Sequence, residues 1–179
     1  MNNLRFARQF LLHPKQLGTL VQSGRMLANR MADEVEGCVQ VVELGAGTGP
    51  VTREILRRLP ESASLTCFEI NREFCRCLES IDDPRLRVVN DDAAKCERYV
   101  DRADCVVSGL PLTLFDGRAR EAILAIARRS GRFIQLQYTT ALSRDIRRHF
   151  SDVRLKFVPL NFPPAFLYIC TCSCKVHVL

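Results

Sequence analysis

Short apolar runs alternate with amphipathic stretches along most of the chain, and this switch between a period of two and a period of 3.6 predicts a parallel sheet wrapped by helices. Residues 39–44, 64–70, 85–90, 103–108 and 132–138 read as strands, with helically periodic segments such as 52–59 and 119–129 between them. After a short helix over 142–149, residues 153–158 and 165–173 read as two further strands. Only residues 159–164 separate that last pair, too few for a helical crossover, so the two are expected to form an antiparallel hairpin. The expected class is α/β: a seven-stranded, mostly parallel sheet with a C-terminal antiparallel hairpin and helices on both faces. Ahead of the sheet, residues 1–36 have a helical pattern. Phe6, Phe10 and Leu11 share one face and Arg5, Arg8 and Gln9 occupy others, His13-Pro14 interrupts, and a second helix is expected over about 23–33. The chain thus divides into an N-terminal helical segment, 1–36, and a domain over 37–179, together one globular unit.

One strand end carries chemistry. Val41-Val42-Glu43-Leu44-Gly45-Ala46-Gly47-Thr48-Gly49 is an apolar strand running through a glycine-rich turn into a helix expected near Thr52. Glycine accepts positive φ and leaves bare backbone for a ligand, and the turn delivers that ligand to a helix N-terminus. The spacing G-x-G-x-G, with Glu43 before it, departs from the G-x-G-x-x-G of dinucleotide binding and weakens a nicotinamide reading. Glu69 closes the next strand, where an acidic side chain can accept from both ribose hydroxyls. Asp92, in Asn90-Asp91-Asp92-Ala93 after the third strand, suits an adenine amino group. Each residue alone could shape a turn or cap a helix. Three successive strand ends of one parallel sheet, however, border the crevice in which such sheets bind ligands.

Composition narrows the setting. At 179 residues and 47% hydrophobic, the chain suits one domain with a substantial core. No apolar run reaches the roughly 20 residues of a membrane span, and Met1 to Arg8 contains no secretory apolar region, so the cytoplasm is the expected location. Nine cysteines, an odd number without an export signal, are expected as thiols. Cys170, Cys172 and Cys174 alternate along a strand, which sets the outer two about 13 Å apart, too far to share a zinc ion. His13, His149 and His177 have no metal-ligand spacing, and no metal is expected. A net charge of +6 and a pI near 9.0 favour an anionic partner, either a membrane surface or a nucleic acid.

With Glu69 and Asp92, the run Glu43-Leu44-Gly45-Ala46-Gly47-Thr48-Gly49 resembles motifs I to III of the class I S-adenosyl-L-methionine-dependent methyltransferases. More narrowly, the chain is similar to bacterial phospholipid N-methyltransferases, which methylate phosphatidylethanolamine. The basic opening segment through Pro14, Ser23-Gly24-Arg25, Ser108-Gly109-Leu110-Pro111-Leu112 and Asn161-Phe162-Pro163-Pro164-Ala165 carry that similarity. The resemblance implies a Rossmann-like fold, S-adenosyl-L-methionine as cofactor and S-adenosyl-L-homocysteine as product. It implies a cofactor site of Ser23, Glu43, Leu44, Gly45, Ala46, Gly47, Thr48, Gly49, Glu69, Ile70, Asn71, Asp92, Ala93 and Ser108. The alternative is an RNA substrate, as in ribosomal RNA adenine dimethyltransferases. Their Asn-Leu-Pro-Tyr motif differs here at Ser108, Gly109 and Leu112, and their added helical domain has no counterpart before Leu179. A small-molecule methyltransferase and a non-catalytic cofactor-binding protein are the other readings.

Amine methylation is an in-line displacement that needs positioning more than acid–base chemistry. The loop containing Ser108, Leu110 and Pro111, with Tyr138 at the end of the fifth strand, is the expected acceptor pocket, and an aromatic face would favour a cationic nitrogen. The opening segment is expected on an anionic membrane, with Phe6, Phe10 and Leu11 toward lipid and Arg5, Arg8 and Lys15 toward headgroups, placing the protein peripherally on the inner face of the cytoplasmic membrane.

Overall fold

The computed structural model describes residues 18–159 and 163–171. The expectations for the segment from Arg5 to Lys15, for Asn161-Phe162 and for Cys172, Cys174 and His177 lie outside the described residues, as does the side chain of Ser23.

The strands are β1 (Gln40–Leu44), β2 (Ser64–Phe68), β3 (Leu86–Val89), β4 (Cys105–Ser108), β5 (Arg132–Gln137), β6 (Asp152–Val158) and β7 (Ala165–Thr171). They form one sheet in the order β3-β2-β1-β4-β5-β7-β6. The first five run parallel, while β7 pairs antiparallel with both β5 and β6. The helices are α1 (Gly18–Ala32), α2 (Pro50–Leu56), α3 (Arg72–Glu79), α4 (Gly117–Arg128) and α5 (Ser143–His149). The β3–β4 connection holds a 3-10 turn, Ala93–Arg98, in place of a full α-helix.

Both faces of the sheet are covered, which is why its central strands are apolar at consecutive positions. On one face Val41, Leu65, Cys67 and Ile134 pack against Leu27 and Met31 of α1, Ile55 of α2 and Leu78 of α3. On the other, Val42, Leu44, Val106 and Phe133 pack against Ile123 and Leu124 of α4 and Ile146 of α5. Several boundaries differ from the sequence pattern. The helix expected from about 23 already includes Gly18, the first described residue, the one expected near Thr52 begins at Pro50, and β5 stops one residue short of Tyr138. Helix ends here follow local caps, such as Gly49 with Pro50 in the first turn, which hydrophobic periodicity does not register. The described cysteines carry free thiols, no described helix is long and apolar enough to cross a membrane, and among the described residues no cluster of His, Cys, Asp or Glu could hold a metal ion.

Arg85 locks the C-terminal end of α2 to the start of β3. It donates to the carbonyls of Leu59 (2.6 Å) and Leu56 (2.8 Å) and pairs through two nitrogens with Asp83, answering carbonyls that the helix itself leaves open. Arg85→Met is expected to lower the unfolding free energy by about 1–3 kcal/mol. Arg57→Met, at a side chain 61% exposed and paired with Glu54, is expected to cost under about 1 kcal/mol. Urea denaturation of both variants checks the contrast.

Candidate functional site

From β1 the chain moves outward to β2 and β3, then returns across the sheet to β4. The carboxyl ends of β1 and β4 therefore flank a point where the connections part in opposite directions and leave a crevice. The glycine loop lies there. Gly45 and Ala46 both donate their N–H to the Phe68 carbonyl, at 2.8 and 3.3 Å, so the loop leans toward β2. Gly49 N–H donates to the Ala46 carbonyl and Arg53 N–H to the Gly49 carbonyl, closing the turn and opening α2.

Three glycines of this loop have positive φ: +74° at Gly45, +60° at Gly47 and +87° at Gly49. Their surroundings separate their roles. A Cβ on Gly45 would lie 2.5 Å from Leu110 Cδ2, and one on Gly49 2.9 Å from Leu78 Cδ2. A Cβ on Gly47 would meet nothing within 4 Å. Gly45 and Gly49 are thus packing constraints, while Gly47 presents bare backbone to open space.

Glu69 holds the loop from the neighbouring strand. Its Oε2 accepts from Gly47 N–H at 2.9 Å and its Oε1 from Asn71 N–H at 2.8 Å. Asn71 in turn caps α3 by accepting from Glu73 N–H, and Asn90 donates to the Glu69 carbonyl. Ile70, between them, is 54% exposed beside the crevice. Asp92 Oδ1 caps the 3-10 turn at Ala94 N–H, with Ala93 as the first residue of that turn. The preceding Asp91 is committed elsewhere: Lys95 and the Tyr99 hydroxyl both donate to it, and the Lys95 contact holds its carboxyl well below the ordinary range.

Glu43 sits beneath the loop, 3% exposed. Its Oε2 accepts from the Thr52 hydroxyl at 2.7 Å and from the Cys67 thiol at 3.2 Å. Burial pushes its carboxyl up to about 7, with these two bonds opposing the rise and the charge of Glu69 adding to it. Thr52 and Cys67 were not singled out from sequence; a threonine in a first helical turn and a cysteine in a strand gave no sign of sharing one buried acid.

On the β4 side, Ser108 is fully buried and its hydroxyl accepts from Leu110 N–H at 3.3 Å. The Leu110 carbonyl accepts from Leu112 N–H (2.8 Å), Gln135 Nε2 (2.9 Å) and Gln137 Nε2 (3.0 Å). This carbonyl anchors the loop, and Leu110 turns its side chain onto Gly45. Pro111 follows, its carbonyl accepting from Leu114 N–H. Gln135 and Gln137 also escaped the sequence reading, although two glutamines alternating in the otherwise apolar run Phe133-Ile134-Gln135-Leu136-Gln137 were a legible signal. Tyr138, next after β5, is 41% exposed.

Residues 41–132, which hold every one of these elements except Gln135, Gln137 and Tyr138, match a methyltransferase domain model. The chain is also 30% identical to an ornithine lipid N-methyltransferase of Singulisphaera acidiphila, over 92% of this chain and 93% of that one. It belongs to the class I S-adenosylmethionine-dependent methyltransferases. Solved structures agree on the fold. The magnesium protoporphyrin IX methyltransferase of Synechocystis, with bound cofactor, superposes with a TM-score of 0.73 over 97% of this chain and 98% of its own, at 11% identity. Aeropyrum pernix fibrillarin, with natively bound cofactor, gives 0.61 over 81% and 74% at 15% identity.

The cofactor of this methyltransferase is S-adenosyl-L-methionine. The bare backbone at Gly47 fits such a group, as do the acidic side chains at the ends of β2 and β3. Bound in the crevice, it supplies an electrophilic methyl carbon on a sulfonium.

Two contrasts test this geometry. Gly47→Ala is expected to cost about 1 kcal/mol of stability from its left-handed backbone, while cofactor affinity falls about tenfold or more as the methyl enters the open space. Gly49→Ala strikes Leu78 as well and is expected to lose more stability; thermal melts with calorimetric titration separate the two. For Glu43, an unfolded carboxyl titrates near 4.5 and the folded one near 7, so the unfolded state loses its proton first. Its effect on stability is absent below about pH 4.5, becomes an increasing penalty up to about pH 7 and then levels off, at about 3 kcal/mol in total. Glu43→Gln is expected to flatten that decline in melts taken across pH 4.5 to 8.

Proposed function

We propose that this methyltransferase transfers a methyl group to the amine of a membrane lipid, phosphatidylethanolamine or its methylated derivatives, on the inner face of the cytoplasmic membrane. The observation that carries the reading is its likeness, along nearly the whole of both chains, to a protein that methylates the amine of a lipid. An ornithine lipid presents the same nucleophile, a primary amine on a lipid anchor, and is the companion substrate to test.

In this reading the cofactor lies along Leu44, Gly45, Ala46, Gly47, Thr48 and Gly49. Glu69 accepts from the ribose hydroxyls with the lone pairs left by its two backbone bonds. Ile70 covers one adenine face, Asp92 and Ala93 meet the adenine edge, and Asn71, Ser23 and Glu43 complete the surround. Leu110 and Pro111 form the wall of the acceptor pocket, with Ser108 buried behind them. The lipid amine must shed a proton before its lone pair can attack, and water or a lipid phosphate takes it. The amine then attacks in line, with the reacting atoms at about 3–3.5 Å. No covalent bond to the protein is needed, so the work of the loop after β4 is placement. Gln135 and Gln137, by fastening the Leu110 carbonyl, keep that placement fixed. Tyr138 offers a ring face to the nitrogen as it gains charge.

The test is transfer of radiolabelled methyl to phosphatidylethanolamine, to ornithine lipid and, in parallel, to total RNA, by the wild type and Gly47→Arg. Label in phosphatidylethanolamine products, lost in the variant, supports the proposal; label confined to ornithine lipid moves the headgroup, and label confined to RNA overturns the lipid reading. Tyr138→Ala is expected to lower turnover about tenfold while Tyr138→Phe keeps most of it; full activity in both removes Tyr138 from the site.

A further inference from the structure

The outermost strand, β6, has two unlike faces. Lys156 and Arg154 point to the α1 face, where both pair with Glu34. Leu155 and Phe157 point the other way. Their register partners are Tyr168 and Phe166, and Tyr168 belongs to the core beneath α5, its hydroxyl 2.8 Å from Ser143 at the start of that helix. Cross-strand partners share a face, so Leu155 and Phe157 lie on the α5 side of the sheet, one row beyond the strand that α5 covers. They are 41% and 56% exposed, and the Phe157 ring rests on Phe166 with centroids 5.2 Å apart.

The helix beside this row carries exposed cations. Arg144 and Arg147 of α5 are exposed, and among the described residues neither enters an ion pair, whereas Asp145 of the same helix is engaged by Arg120 and Arg148. The helix's own register separates the two groups: Asp145 turns toward α4, and Arg147 turns toward the β6–β7 side, close enough to Cys170 for its charge to act on that thiol. Exposed aliphatic and aromatic side chains beside unpaired arginines fit an anionic bilayer, with rings among the upper acyl chains and guanidinium groups on phosphates.

Position gives the row its use. Phe157 is level with Phe166, which is level with Gln137 on β5, and Gln137 holds the Leu110 carbonyl of the acceptor loop. The exposed row therefore ends at the sheet edge where the methyl acceptor must arrive.

We propose that the α5-side face of the β6–β7 hairpin, through Leu155 and Phe157 with Arg144 and Arg147, docks this methyltransferase on an anionic phospholipid surface and sets the acceptor loop at headgroup depth. The inference rests on the lipid-amine reading above for its purpose, but its physical test is separate. Leu155→Ser/Phe157→Ser and Arg144→Glu/Arg147→Glu change exposed side chains, and Val39→Ser, 44% exposed just ahead of the central strand β1, serves as control. Sedimentation with vesicles of phosphatidylethanolamine and phosphatidylglycerol is expected to show about tenfold or greater weakening for both double variants and none for the control. Replacing phosphatidylglycerol by phosphatidylcholine is expected to weaken the wild type. Cofactor binding by equilibrium dialysis is expected to stay at wild-type values throughout, with a modest fall in melting temperature for Leu155→Ser/Phe157→Ser as the contact with Phe166 is lost. Vesicle binding by both double variants equal to wild type, or a wild type that does not sediment with either vesicle, overturns the docking face. Wild-type methylation of lipid with docking unaffected in the variants leaves the function standing without this face. Docking lost in the variants while the wild type methylates no lipid supports the face and removes the lipid substrate.

Discussion

The carboxylate of Glu69 is the contact on which the rest of the site depends. By accepting from Gly47 N–H on one oxygen and Asn71 N–H on the other, it ties the loop after β1 to the turn after β2. A charged acceptor with two backbone donors is a strong, directional clamp. Without it the glycine loop, with three residues in the left-handed region, would have many conformations of similar energy. With it, the loop has one shape before any ligand arrives, and less ordering is left to oppose binding.

Support from below has a cost. Glu43 is buried with an acid raised to about 7, and its bonds to Thr52 and Cys67 only partly offset the loss of hydration. What they gain is a cross-link between β1, β2 and the first turn of α2 directly under the loop. Leu110, from the loop after β4, closes the other side against Gly45. The crevice is thus defined by strand ends held to each other through side chains, and the sheet supplies the rigidity that a loop alone lacks.

On the β4 side the same logic uses neutral groups. Gln135 and Gln137 place two amide N–H groups on one carbonyl, and the Thr113 hydroxyl donates to the Gln137 side-chain oxygen at 3.4 Å. Gln135 is wholly buried and its Oε1 has no hydrogen-bond partner among the described residues, a cost set against the fixed position of the loop. In the proposed amine transfer, uncharged donors suit a nitrogen that becomes more positive as it reacts, because a fixed cation here would oppose it. Beyond β5 the antiparallel hairpin extends the same edge of the sheet, and its exposed row lies outside the reach of a helix of seven residues.

The sheet, its parallel order, the final hairpin and the glycine loop were all legible in the residues, because each rests on a local pattern: apolar runs of strand length, a six-residue connection too short for a helix, and glycines at fixed offsets before a helix. The places of Glu69 and Asp92, just past β2 and β3, were legible for the same reason, since a strand end is a sequence position. The union of Glu43 with Thr52 and Cys67, the two glutamines on the Leu110 carbonyl, and the division of β6 into a neutralised face and an open one were decided by tertiary structure. Those features join residues 9 to 27 positions apart, and in the case of Glu34 with Lys156 more than a hundred. Periodicity reports which face of an element a side chain occupies; only the packing of elements decides which groups meet there, and whether they meet each other or solvent.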